Sequence, residues 1–240
     1  MCTVIYIPSK EGPLFSSCRD EDPAREAALQ AQIINANTGL LLYPQDAAAK
    51  GTWAGLHEQG HVVILLNGAF INHERKNNYR KSRGLIVRDL LDTLDPLAKW
   101  DAIDLKNIEP FTLVVWVSRQ LFEWIWDGNH KHEKKMDAEK PHIWSSVTLY
   151  GPPAQALRKS WFAKALMQNS IVSAEQLLQL LHLHNDPLNG FVMSRNKNIQ
   201  TLSISLIQLH PGYFVFRYQD INNKTDSNHW LKHTAQLQKI

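Results

Sequence analysis

Cys2 follows Met1 and opens the run Cys2-Thr3-Val4-Ile5-Tyr6. A second residue as small as cysteine is expected to allow removal of Met1. Removal leaves a thiol and a free α-amine on one residue. That pair can act without a distant histidine, because an N-terminal amine can serve as the base for a neighbouring side-chain nucleophile. The amine titrates at about 7.7–8.0 and a free thiol at about 8.5, so both are poised near neutral pH. The other reading open at this point is a small buried cysteine at the start of a β-strand.

The surrounding pattern shows what would have to position such a nucleophile. Residues 2–7 carry Val4 and Ile5 and read as a strand stopped by Pro8. A second strand is expected from Leu14 to Cys18, and residues 24–35 as a helix or an irregular excursion. Gly51-Thr52-Trp53-Ala54-Gly55-Leu56 reads as a turn into a strand, and His61 to Asn67 as a buried strand ended by Gly68. Val87, Leu90, Leu91 and Leu94 recur at helical spacing after Ser82, so a helix is expected over 82–95 with Pro96 ending it. Thr112–Val117 and Leu121–Trp126 read as a hairpin, with Phe122, Trp124 and Trp126 on one face. Residues 127–142 read as a polar loop.

Two helices are expected over 152–182, the second capped by Ser173. The last expected element is a hairpin over 202–218, turning at His210-Pro211-Gly212. Hairpins segregated from helices indicate an α+β domain of mostly antiparallel sheets. The whole chain, 1–240, is read as one domain.

Composition narrows the function classes. Hydrophobic residues make up 44% of the 240, enough for a sizeable core, and a net charge of +3 gives no electrostatic case for nucleic acid. Cys2 and Cys18 are the two cysteines, too few for a disulfide framework, which points to a reducing, cytoplasmic setting. No apolar run reaches the roughly 18 residues of a membrane span. His130, His132, His142, His182 and His184 show no spacing with Cys or carboxylates that suits a metal, so no metal or cofactor is expected.

The opening Met1-Cys2-Thr3 and the run Cys18-Arg19-Asp20-Glu21 with Pro23 and Arg25 resemble the NRDE family, the group of the transport and Golgi organization proteins. The family takes its name from Asn-Arg-Asp-Glu, and Cys18 stands where Asn is usual. Lys50-Gly51-Thr52-Trp53-Ala54-Gly55 resembles its Gly-Gly-Thr-Trp block. Leu65-Leu66-Asn67-Gly68 and Trp144-Ser145-Ser146-Val147-Thr148-Leu149-Tyr150, followed by Trp161, are similar to later segments. The order and spacing of these pieces span most of the chain.

That family in turn resembles the cysteine-type N-terminal-nucleophile hydrolases, such as penicillin V acylases and bile salt hydrolases. The resemblance implies a four-layer αββα sandwich and cleavage of a non-peptide amide by Cys2. It places Arg19 and Asp20 beside the nucleophile and makes Asn67 an oxyanion donor. Ser146, where the family often has Asn, and Arg195 are further candidates for oxyanion or substrate contact, as is Trp53. A cation beside the thiol would favour the thiolate. Losing one oxyanion donor costs roughly 10²–10³ in rate. The alternative is a non-catalytic carrier of haem or another hydrophobic ligand on the same fold. Either way the partner is a small molecule.

Overall fold

Strand β2 shows in eight residues how the layers form. Alternate side chains leave opposite faces of a strand. In Leu14–Glu21, Leu14 and Cys18 enter one apolar cluster and Phe15 enters another. A strand apolar on both faces belongs in the middle of a sandwich whose sheets are covered outside as well as inside.

The computed structural model describes residues 3–76, 78–168, 171, 173–184, 186–195 and 198–233. Cys2 lies outside the described residues. In chain order the strands are β1 (Thr3–Ile7), β2 (Leu14–Glu21), β3 (Leu29–Asn35), β4 (Leu40–Gln45), β5 (Ala54–His57) and β6 (Val62–Asn67). Helices α1 (Arg83–Leu91) and α2 (Pro96–Ala102) follow, then β7 (Phe111–Val117), β8 (Gln120–Trp126), β9 (Lys131–Met136) and β10 (His142–Ser145). Helices α3 (Pro152–Gln168) and α4 (Ala174–Leu183) precede β11 (Ser194–Arg195), β12 (Ile199–His210), β13 (Tyr213–Asp220) and β14 (Thr225–Lys232).

These strands form two antiparallel sheets. One runs β10-β1-β2-β12-β13-β14, with β11 beside β12, and the other runs β3 to β9 in sequence order. Val4, Tyr6, Phe15, Phe216 and Tyr218 of the first sheet pack on Trp53, Leu56, Ile64 and Val114 of the second. Helix α1 lays Ile86, Val87, Leu90 and Leu91 on the outer face of the second sheet, joined by Trp100 of α2. The Trp100 ring stacks on Trp124 at 5.0 Å. Helices α3 and α4 cover the first sheet through Phe162, Leu177, Leu180 and Leu181. The layer order is therefore αββα. Truncating one of these large buried side chains costs about 3–5 kcal/mol.

Three expectations need correction. Residues 24–35 contain a strand, β3, and no helix. Pro96 does not end the helix region. It occupies the first turn of α2, where Asp95 caps by accepting from the Ala98 N–H at 3.0 Å. A proline is tolerated there because its missing N–H would have no helical partner. The stretch 127–142 is not all loop, since β9 pairs along β8 with Glu123 opposite Lys134. Strands β3 and β9 are edge strands with mostly exposed residues. An edge strand draws its order from a neighbour's backbone and needs little apolar patterning of its own.

Candidate active site

A cleft of about 600 Å³ opens between the ends of β2 and β6, the Gly51-Thr52-Trp53 turn, the segment before α1 and the start of α1. Strand β2 sends Arg19 and Glu21 into it. Arg19 is 3% exposed. Its Nη2 donates to Asp46 Oδ2 at 3.2 Å and lies 3.9 Å from Glu21 Oε2. Its guanidinium carbon sits 4.5 Å from the centre of the Trp53 ring, a cation–π contact. Asp46 also receives Arg25, through Nε at 3.0 Å and Nη2 at 3.1 Å, and the Ala49 N–H at 2.8 Å. Burial pushes the Asp46 carboxyl up. The Arg25 hydrogen bonds, the Ala49 N–H and the two guanidinium charges outweigh it, so the net direction is down. One carboxylate thus holds two arginines in fixed geometry.

Asn67 is the last residue of β6 and lines the same cleft. Its Oδ1 is buried with no hydrogen-bond partner among the described residues, as is Nε1 of Trp53. Buried polar atoms nearly always have partners, so these two atoms leave hydrogen-bonding capacity unused beside the cleft. The Ser146 hydroxyl donates to the backbone carbonyl of Asn67 at 2.7 Å and meets Thr148 Oγ1 at 2.8 Å. A hydroxyl has one proton to give. Ser146 therefore fixes the chain at Asn67 and is not among the cleft-lining residues.

Asp20 leaves the opposite face of β2. It is buried and accepts from Thr201 Oγ1 at 2.5 Å and from Tyr150 Oη at 3.0 Å. Tyr150 lies under two guanidinium groups, Arg158 at 3.9 Å and Arg195 at 4.9 Å. Arg195 donates to Leu149 O and Leu188 O, so it braces this network rather than lining the cleft. The structure brings Arg19, Asn67 and Trp53 together. It sets Asp20 and Arg195 on the Tyr150 side and Ser146 behind Asn67.

Sequence reasoning did not single out Asp46, Tyr150, Thr201, Arg158 or Arg83. Asp46 had one available signal: it stands five residues before Gly51 and closes that loop, accepting at its backbone O from the Lys50 N–H and donating its N–H to Gly51 O, both at 2.9 Å. Tyr150 closes the family-like segment that begins at Trp144, and the other three carry no local motif. Cys18 faces the helix layer, fully buried, and burial pushes its thiol far above the ordinary range, with the Asp20 charge adding to the shift.

Glycine is required where the cleft meets α1. A Cβ on Gly51 would fall 2.4 Å from the carbonyl carbon of Gly84. That close approach seats the first turn of α1 against the Gly51-Thr52-Trp53 turn.

The family model for Transport and Golgi organisation 2 matches residues 1–220. The chain belongs to that family. No curated protein matches this family member in sequence. Among solved structures it is similar to a mutant conjugated bile acid hydrolase from Clostridium perfringens, with a TM-score of 0.62 at 11% identity over 95% of this chain and 92% of that one. It is also similar to the Caenorhabditis elegans ortholog of N-acylethanolamine-hydrolyzing acid amidase, with a TM-score of 0.62 at 10% identity over 86% of this chain and 92% of that one. Penicillin V acylase from Agrobacterium tumefaciens gives 0.52 at 10% identity, over 98% of this chain and 86% of that one. At such identities the likeness establishes the shared N-terminal-nucleophile-hydrolase-like fold.

Proposed function

We propose that this family member is an amidohydrolase that cleaves a non-peptide amide through Cys2 after loss of Met1. The observation that carries the reading is the meeting of Arg19 and Asn67 in one cleft at the end of β2 where β1 begins. Thr3 pairs with Cys18. Cys2 adjoins Thr3 in the chain as Arg19 adjoins Cys18. The fold neighbours named a hydrolase, an amidase and an acylase support the same reading.

In the proposed reaction the α-amine of Cys2 takes the thiol proton and the sulfur attacks the amide carbonyl carbon. The Asn67 amide donates to the oxyanion as it forms. The carbon–nitrogen bond breaks, and the α-ammonium returns the proton to the leaving nitrogen. Water then adds to the thioester, releasing the acid and restoring the thiol. Arg19 favours the thiolate by its charge. Asp20, held by Tyr150 and Thr201, supplies a fixed negative charge near the strand end for the α-ammonium. Ser146 acts indirectly, by holding Asn67. The cleft's charged lining favours a polar substrate over carriage of a wholly apolar ligand.

The experiment is hydrolysis of a panel of N-acyl amides by the wild type and by Cys2→Ala, with released amine as the readout. Activity in the wild type and its loss in Cys2→Ala are expected. Equal release by both proteins would overturn the reading.

A further inference from the structure

The charge of the cleft is lopsided. Arg19, Arg25, Arg75, Lys76, Lys81 and Arg83 line it, against the carboxylates Glu21, Asp46 and Glu109. The carboxylates are already engaged. Asp46 holds Arg19 and Arg25, and Glu109 lies 3.1 Å from Arg83 and 4.0 Å from Arg75. Lys81 is paired outside the cleft lining with Asp89. Arg75 keeps 80% of its side chain exposed, and Lys76 forms no ion pair among the described residues.

The start of α1 adds to this field. Ser82, Arg83 and Gly84 line the cleft, and Ser82 makes no side-chain capping bond to the nine-residue helix. A helix N-terminus carries partial positive charge and backbone N–H groups that suit an anion. The Gly51–Gly84 contact holds that end against the cleft wall. The independent sign of a ligand is Trp53. It is 2% exposed, lines the cleft, and its indole N–H has no acceptor among the described residues. An indole nitrogen can only donate, so what satisfies it must carry a lone pair.

We propose that the cleft recognises an oxyanion, a phosphate or a carboxylate, on the ligand, with Arg75, Lys76, Arg83, the Trp53 indole N–H and the first turn of α1 as its binding groups. The proposal rests on the amidase reading for what lies at the other end of the ligand, and so narrows the substrate class to amides bearing such an anion. Arg83 is the inner contact, held by Glu109 and by donation to Pro110 O at 3.2 Å. Arg75 and Lys76 form the outer, solvent-facing contact.

The test is calorimetric titration of the full chain with inorganic pyrophosphate and, separately, with citrate at low ionic strength. Binding in the millimolar range or tighter, weakened by added sodium chloride, is expected. Pyrophosphate alone binding assigns the phosphate class, and citrate alone the carboxylate class. Arg83→Gln should weaken binding about tenfold, the scale of one charge-assisted hydrogen bond. Arg75→Gln and Lys76→Gln sit at the rim and keep the test valid if Arg83→Gln fails to fold. Together those two should weaken binding by at least as much. Failure of both anions to bind, or undiminished binding in the rim double variant, would overturn the proposal. Anion binding in a protein that cleaves no amide would keep this inference and remove the amidase reading. Amide cleavage without anion binding would do the reverse.

Discussion

Arg158 of α3 donates to the hydroxyl of Thr3, the residue that follows Cys2, across 155 positions of sequence. The same guanidinium donates to the carbonyls of Asn189 and Gly190 at 2.9 and 2.8 Å. It therefore ties the first described residue of β1 to the helix layer and to the loop after α4. Thr3 is fully buried, so the tie is made away from water.

Replacing Thr3 by Val removes the acceptor and leaves a buried guanidinium N–H unsatisfied. The expected cost is about 1–3 kcal/mol. Thr3→Ser should recover most of it. Denaturant midpoints of the three proteins check the order. A Thr3→Val protein as stable as the wild type would show that the tie contributes nothing.

Asp46 holds the two arginines that the NRDE-like run brings to the cleft. Asp46→Asn should leave Arg19 buried with a weakened counter-charge, at a cost of about 3–5 kcal/mol. The Asp46 carboxyl sits below its ordinary value of 3.8, so its contribution is present above that pH and is lost as pH falls through the folded value. Wild type and Asp46→Asn should therefore converge in stability at low pH. Thermal melts across the acid range measure this directly.

His57 and His61 stack at 4.7 Å at the turn between β5 and β6. His57 Nδ1 accepts from the Gln59 N–H, and His61 Nε2 donates to Thr93 O. Burial, and then the neighbouring His57, lower His61 to about 4 from 6.5, while the Thr93 carbonyl and Asp95 oppose the shift. His57 is lowered too, by burial first, with Glu58 and Asp92 opposing. A histidine neutral in the fold takes up its proton more readily when unfolded. Stability should therefore fall as pH drops from about 6.5 to about 4, by roughly 3 kcal/mol from His61. His61→Gln should flatten that limb. An unchanged slope in the variant would contradict the assignment.

Gly51→Ala places a methyl group against the backbone of Gly84. Relief requires the start of α1 to move. A loss of about 1–3 kcal/mol is expected, with weaker pyrophosphate binding. Gly55→Ala meets a movable Leu91 side chain at 2.4 Å and serves as a comparison away from the cleft. Equal anion affinity in Gly51→Ala and wild type would separate the helix end from the site.

The elements legible in the sequence were those with their own apolar period. The hairpin of β7 and β8 showed in Phe122, Trp124 and Trp126, and α4 in Ser173, which caps it by accepting from the Gln176 N–H. Strands β3, β9 and β14 were not legible, because an edge strand such as Thr225–Lys232 alternates mostly polar residues and is ordered by its neighbour. In the site, Arg19, Asn67 and Trp53 were legible from motifs. Asp46, Tyr150 and Arg158 were not, since their roles arise from pairing across 27, 130 and 155 positions. Adjacent motif letters also hide geometry. Arg19 and Asp20 are neighbours in sequence and leave opposite faces of β2.

The most direct test of the account is intact and peptide mass spectrometry of the protein after reaction with a thiol-reactive acyl probe near neutral pH. A chain lacking Met1 is expected, with the acyl group on Cys2 and none on the buried Cys18. Loss of labelling in Cys2→Ala and slower labelling in Arg19→Gln should accompany it. Retained Met1, or labelling of Cys18 in preference to Cys2, would contradict the account.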